Sequence, residues 1–195
     1  MRLRRILGTA AVAALLLAGS AASASASTGT GTGTGMGTGD KSFFHLPGIQ
    51  KLRHATDKYH SLTAATDAQY GELKDINGIS CISDDMGGMG AMGVHYANGA
   101  LVGDGKITPT KPEALLYAPD AHGTLHLAGV EYVVLKADWL KHHTSRPVLY
   151  GHRFNLTPAG NRFGLPDFYS LHVWAWKANP SGMFHMFNPT VHCPA

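Results

Sequence analysis

Three metal-competent side chains interrupt runs that are otherwise apolar: His95 in Met-Gly-Val-His-Tyr-Ala (92–97), Glu131 in Gly-Val-Glu-Tyr-Val-Val-Leu (129–135) and His172 in Leu-His-Val-Trp-Ala-Trp (171–176). An imidazole or carboxylate among apolar neighbours must find a partner or give up its charge. Two His and one carboxylate brought to a point suit non-haem Fe(II), and a third His would suit Zn or Cu. The same residues are equally explained as structural polar groups, with Glu131 bonded to a His or Arg and each imidazole donating to a carbonyl. Alternation along a strand puts His172, Trp174 and Trp176 on one face, and separates Glu131, Val133 and Leu135 from Val130, Tyr132 and Val134. Trp174, Trp176, Tyr96 and Tyr132 are therefore expected to shape or support a pocket around the trio.

A second feature lies just upstream. Met86, Met89 and Met92 precede His95 at intervals of three, a spacing that soft thioether ligands for Cu(I) could use. Gly87, Gly88, Gly90 and Gly93 keep that backbone permissive, as a loop wrapping an ion or approaching a ligand closely requires. Met is also ordinary gap filler. The remaining histidines carry less. His122 and His126 are four apart but lie in β-type sequence, His142 and His143 sit in a polar connection, and His185 and His192 fall in the tail as reserve ligands. No G-x-S-x-G elbow and no strand–G-x-G-x-x-G–helix unit is present, so neither a hydrolase nor a nucleotide site has local support.

The elements that must position these groups are mostly strands. Apolar residues at Leu52, Ala55, Tyr59, Leu62, Ala65, Ala68 and Leu73 recur at spacings of three and four, predicting one amphipathic helix over 52–73 that packs a single stripe on a sheet. Beyond Cys81, runs rich in Val, Leu, Tyr and Trp at 91–96, 114–118, 124–135, 147–154 and 169–176 read as strands. Turn residues such as Asp104-Gly105, Asp120-Ala121-His122-Gly123 and Asn179-Pro180-Ser181-Gly182 separate them. The expected class is α+β, with a mainly antiparallel sheet or barrel.

The chain ends set the context. A basic Met-Arg-Leu-Arg-Arg start, an apolar Ala/Leu stretch and an Ala-Ser-Ala-Ser-Ala run predict a signal peptide over 1–26, cleaved after Ala24 or Ala26. Residues 27–39 are a Gly/Thr-rich linker, and one globular domain is expected over 40–195. Cleavage removes three of the 16 Lys plus Arg and no acid, leaving 13 against 13 Asp plus Glu. The mature chain is then formally neutral, which argues against nucleic-acid binding; its 12 His add charge only as pH drops below about 6.5. In a secreted chain without a transmembrane segment, Cys81 and Cys193 are expected to pair. Such a bond, closing most of the domain into a loop, is worth on the order of 4–5 kcal/mol in the chain-entropy model.

Taken together, Gly-Ala-Met-Gly-Val-His-Tyr (90–96), Gly-Val-Glu-Tyr-Val-Val (129–134), Leu-His-Val-Trp-Ala-Trp-Lys-Ala-Asn-Pro-Ser-Gly-Met-Phe (171–184) and Asn-Pro-Thr-Val-His-Cys (188–193) resemble an uncharacterised family of exported bacterial proteins. The resemblance runs from about Ala55 to Cys193 and implies a shared fold and export, with no established activity. The expectation is a secreted protein binding a metal ion or small molecule, with Fe, Zn or Cu held by His95, Glu131 and His172. Such a centre would suit a mononuclear metalloenzyme. The alternative is a non-enzymatic extracellular or cell-envelope protein.

Overall fold

The computed structural model describes residues 46–84 and 87–194; the expected signal peptide and linker, and Met86, lie outside the described residues. The first element, α1 (Pro47–Thr56), begins with Pro at its first turn, where a missing N–H costs nothing, and ends with Arg53 and His54 near its carbonyl pole. Its stripe of Ile49, Leu52 and Thr56 is fully buried.

The single helix expected over 52–73 is divided. A 3-10 turn (Asp57–His60) follows α1, then α2 (Leu62–Asp67), and Gln69 at φ 66° turns the chain into β1 (Gly71–Glu72). Ser61 causes the break: its extended backbone starts a new helix, and its Oγ accepts from the Ala64 N–H at 3.3 Å. Leu52, Tyr59 and Ala65 still reach the core, because a kinked path keeps the stripe on one side.

The remaining elements are β2 (Cys81–Ser83), β3 (Ala91–Ala97), α3 (Gly99–Val102), β4 (Ala114–Pro119), β5 (Leu125–Leu135), α4 (Lys136–Trp139), β6 (Val148–Leu149), β7 (His152–Arg153), β8 (Asn155–Thr157) and β9 (Phe168–Val173). Seven strands form one open antiparallel sheet in the order β1–β3–β4–β5–β9–β8, with β2 pairing the same edge of β3 as β1. The class is mixed helix and antiparallel sheet, and the sheet does not close into a barrel. The run 147–154 is not one strand: Tyr150 and Gly151, at φ 52° and 79°, reverse it into the β6–β7 hairpin. Nor does β9 reach 176, since Trp174 begins the return segment and its N–H bonds the Met183 carbonyl at 2.9 Å.

One sheet face packs on α1 through a core of Val94, Tyr96, Leu115, Tyr117, Val130, Tyr132, Leu171 and Val173. The other carries His95, Glu131 and His172, with a small cluster of Ala91, Ala118, Ala128, Trp174 and Val191. Both faces are covered, which is why β3, β4, β5 and β9 are almost continuously buried. Cys81 and Cys193 form the expected disulfide across 112 residues. It fastens the tail whose Asn188 bridges Ala91 on β3. Gly90 permits that approach, because a Cβ there would strike the Asn188 carbonyl. Among the described residues no helix is long and apolar enough to cross a membrane.

Candidate metal centre

His95 projects from β3, Glu131 from β5 and His172 from β9. Glu131 and His172 are direct register partners across the β5–β9 ladder, so their side chains share a face. His95 lies two strands from Glu131, with β4 between them. The residue opposite Glu131 on β4 is Ala114, too short to come between the two. A bulge also re-aims this end of β3: Ile82 and Ser83 pair Gly93 and Ala91, leaving Met92 as the extra residue. Gly93 sits at φ 87°, and a Cβ there would collide with the Tyr117 carbonyl.

The result is convergence. His95 Nε2 is 3.4 Å from Glu131 Oε2, and His172 Nδ1 is 3.4 Å from Glu131 Oε1. One donor atom from each residue lies within 4.8 Å of the other two. Donors each about 2.1 Å from a common ion stand roughly 3.0–3.5 Å apart, so both His–Glu spacings already match. All three residues are buried, at 1 %, 8 % and 2 % exposure.

Hydrogen bonding leaves the imidazoles unexplained as structural groups. Both ring nitrogens of His95 and both of His172 are buried without a hydrogen-bond partner. Neither ring donates to a carbonyl, and their 3.4 Å approaches to Glu131 lack hydrogen-bonding geometry. Four such atoms in one place would cost several kcal/mol if nothing satisfied them.

Burial acts first on both titrating groups. It holds His172 down at about 4, against the attraction of Glu131. Burial alone would raise the Glu131 carboxyl, but the opposing influence of His172 and His95 outweighs it and pulls the group down to about 2. At neutral pH the centre therefore sets an ionised carboxylate against a neutral His172, and these are the protonation states in which carboxylates and imidazoles ligate cations.

The trio borders a cavity of about 240 Å³ whose wall also includes Met92, Thr157, Asn161, Arg162, Phe163, Phe168, Ser170 and Met186. Phe163 faces His95 with ring centroids 6.2 Å apart. Its loop is held by Asn161, whose Oδ1 accepts from the Phe163 and Leu165 N–H groups and whose Nδ2 donates to the Pro158 and Leu165 carbonyls. Arg162 is anchored to Asp75 through Nη2 at 2.9 Å and Nε at 3.3 Å. Asn161, Arg162, Phe163 and Met186 were not legible as site residues, because they come from polar or irregular segments without periodicity.

None of the four aromatic residues expected to form the pocket is among those lining this cavity. Tyr96 and Tyr132 lie in the core on the other face. Trp174 packs in the small cluster and donates to the His185 carbonyl, while Trp176 donates to Thr56 Oγ1 beneath Arg53. Of the methionines before His95, Met92 reaches the cavity and Met89 is exposed. His126 pairs with Asp120, His143 stacks on Trp139, and His185 bonds the Phe187 carbonyl.

Comparison with known proteins finds no matching family model, curated protein or solved structure. The geometry of the centre stands on its own.

Proposed function

We propose that this is an exported protein that holds one transition-metal ion, of the Fe, Zn or Cu class, through His95, Glu131 and His172. The observation that carries the reading is the set of four buried, unpartnered imidazole nitrogens around one buried carboxylate. One metal ion would take up a ring nitrogen of each His, His95 Nε2 and His172 Nδ1 being the pair that faces Glu131, and would neutralise the carboxylate at once. Three protein donors leave coordination positions open, and the adjoining cavity gives them room for water, O₂ or a small substrate. That combination suits a mononuclear metalloenzyme better than a closed structural ion. Met92 and Met186 in the same wall add soft donors that would favour copper. Export is supported by the leader-like start of the chain, by the Cys81–Cys193 disulfide and by the motif resemblance to exported bacterial proteins.

Elemental analysis of untagged protein, purified without chelators, tests the reading. About one equivalent of metal in the wild type is expected, with loss of nearly all of it in His95→Ala, Glu131→Ala and His172→Ala. Equal metal content in all four proteins, or none in any, would sink it.

A further inference from the structure

Beside the metal-site cavity lies a second one, of about 160 Å³, with a different character. Ten residues line it, and Glu131 is the single polar one among them. Glu131, Phe163 and Phe168 border both cavities, whereas His95 and His172 border only the first. The space follows from the sheet register. Ala97, Ala114 and Glu131 are successive partners across β3, β4 and β5, so two alanines stand in the row beside the carboxylate where larger residues would fill the volume. Gly99 and Val102 of α3 border it too.

Folded interiors seldom keep such volume unfilled, because its walls forgo dispersion contacts. An apolar cavity of this volume is large enough for a benzene-sized guest. We propose that this cavity is the subsite for the apolar end of a small amphiphilic ligand, about one ring in size, whose oxygen- or nitrogen-bearing head lies on the His95–Glu131–His172 centre. This rests on the metal-centre reading for the head and on the second cavity alone for the tail. Phe163 and Phe168, common to both walls, supply aromatic surface along the length of such a molecule.

Two probes separate the parts. Benzene addresses the tail subsite without a metal: saturating benzene is expected to raise the melting temperature of chelator-treated protein, and Val102→Trp or Leu165→Trp to abolish that rise. Benzohydroxamate and acetohydroxamate address both parts. Metal-loaded wild type should bind the phenyl compound roughly 30- to 100-fold more tightly. In either Trp variant the two should bind alike, with metal content unchanged. Absence of a benzene effect, or equal hydroxamate affinities in metal-loaded wild type, overturns the inference while the metal centre stands. Protein that takes up no Fe, Zn or Cu when these are offered, yet is stabilised by benzene, overturns the metal centre and the head-group half of the inference, and upholds the tail subsite.

Discussion

The two faces of the sheet treat buried polar groups in opposite ways. On the α1 side three buried tyrosine hydroxyls each donate to a backbone carbonyl: Tyr70 to Pro112 at 2.7 Å, Tyr117 to Tyr59 at 2.7 Å and Tyr132 to Pro109 at 2.6 Å. Burial pushes all three phenols up, so they remain neutral donors. On the other side two imidazoles face one carboxylate and all four ring nitrogens are left without a hydrogen bond. One face is complete as a piece of structure, and the other is complete only with something added. With the metal ion proposed above as that addition, removing it should unbalance one face and leave its counterpart untouched.

The largest effect expected is therefore from metal removal. At a free metal concentration a thousandfold above Kd, bound ion stabilises the fold by about 4 kcal/mol. Guanidinium unfolding of the wild type with and without chelator should show a loss of that order. Glu131→Gln should show none, because its retention of metal is already gone. Chelator curves that superimpose for the wild type would erase the contrast between the faces.

A second buried carboxylate sharpens the same comparison. Glu113, just before β4, is 2 % exposed, and its Oε2 accepts the Val133 N–H at 2.9 Å. Burial pushes it up to about 8, with its backbone hydrogen bonds only partly opposing the rise. Glu131, as deeply placed, moves the other way because it faces imidazoles. Glu113 thus keeps its proton in the folded protein from its ordinary value of 4.5 up to about 8. In that window the folded state holds one proton more than the unfolded chain, so stability falls as pH rises. The advantage of wild type over Glu113→Gln should shrink by about 2–3 kcal/mol between pH 5 and pH 7. Denaturant curves for both proteins at both pH values measure it, and metal content in Glu113→Gln should equal that of the wild type. A pH-independent difference would mean that Glu113 is ionised throughout.

The candidate centre was legible because each of its three residues broke an apolar run, and an apolar run in a strand announces burial. The strands β3, β4, β5 and β9 were legible for the same reason. What the sequence left open was convergence, which depends on a bulge at Met92 and on Ala114 standing opposite Glu131. Those are properties of pairing between strands and leave no local mark. The pocket wall was opaque for a related reason: Asn161 organises its loop through four side-chain-to-backbone bonds, and such a network has no period to detect. The helix expected over 52–73 was misjudged because the stripe continues through a capping residue, Ser61. Periodicity registered the buried side and missed the break in the axis. Glu113 fell outside the expected strand over 114–118, since one acid beside Lys111 and Pro112 looks like a turn.

The smallest effect tests the complete face. Tyr117 is fully buried on β4, and its hydroxyl ties the sheet to the 3-10 turn through the Tyr59 carbonyl. Tyr117→Phe keeps the ring's packing against Tyr96, whose centroid is 5.2 Å away, and removes only the donor. The orphaned carbonyl and the lost bond together should cost about 1–2 kcal/mol by denaturant unfolding. The turn would loosen, so the Tyr59–His60 amides should exchange faster with solvent while the metal content stays at the wild-type level. A Tyr117→Phe protein as stable as wild type would show that this carbonyl finds water instead. A variant that lost metal would show that the two faces are coupled through β4, and that the tyrosine side also helps to hold His95 and Glu131 in reach of one another.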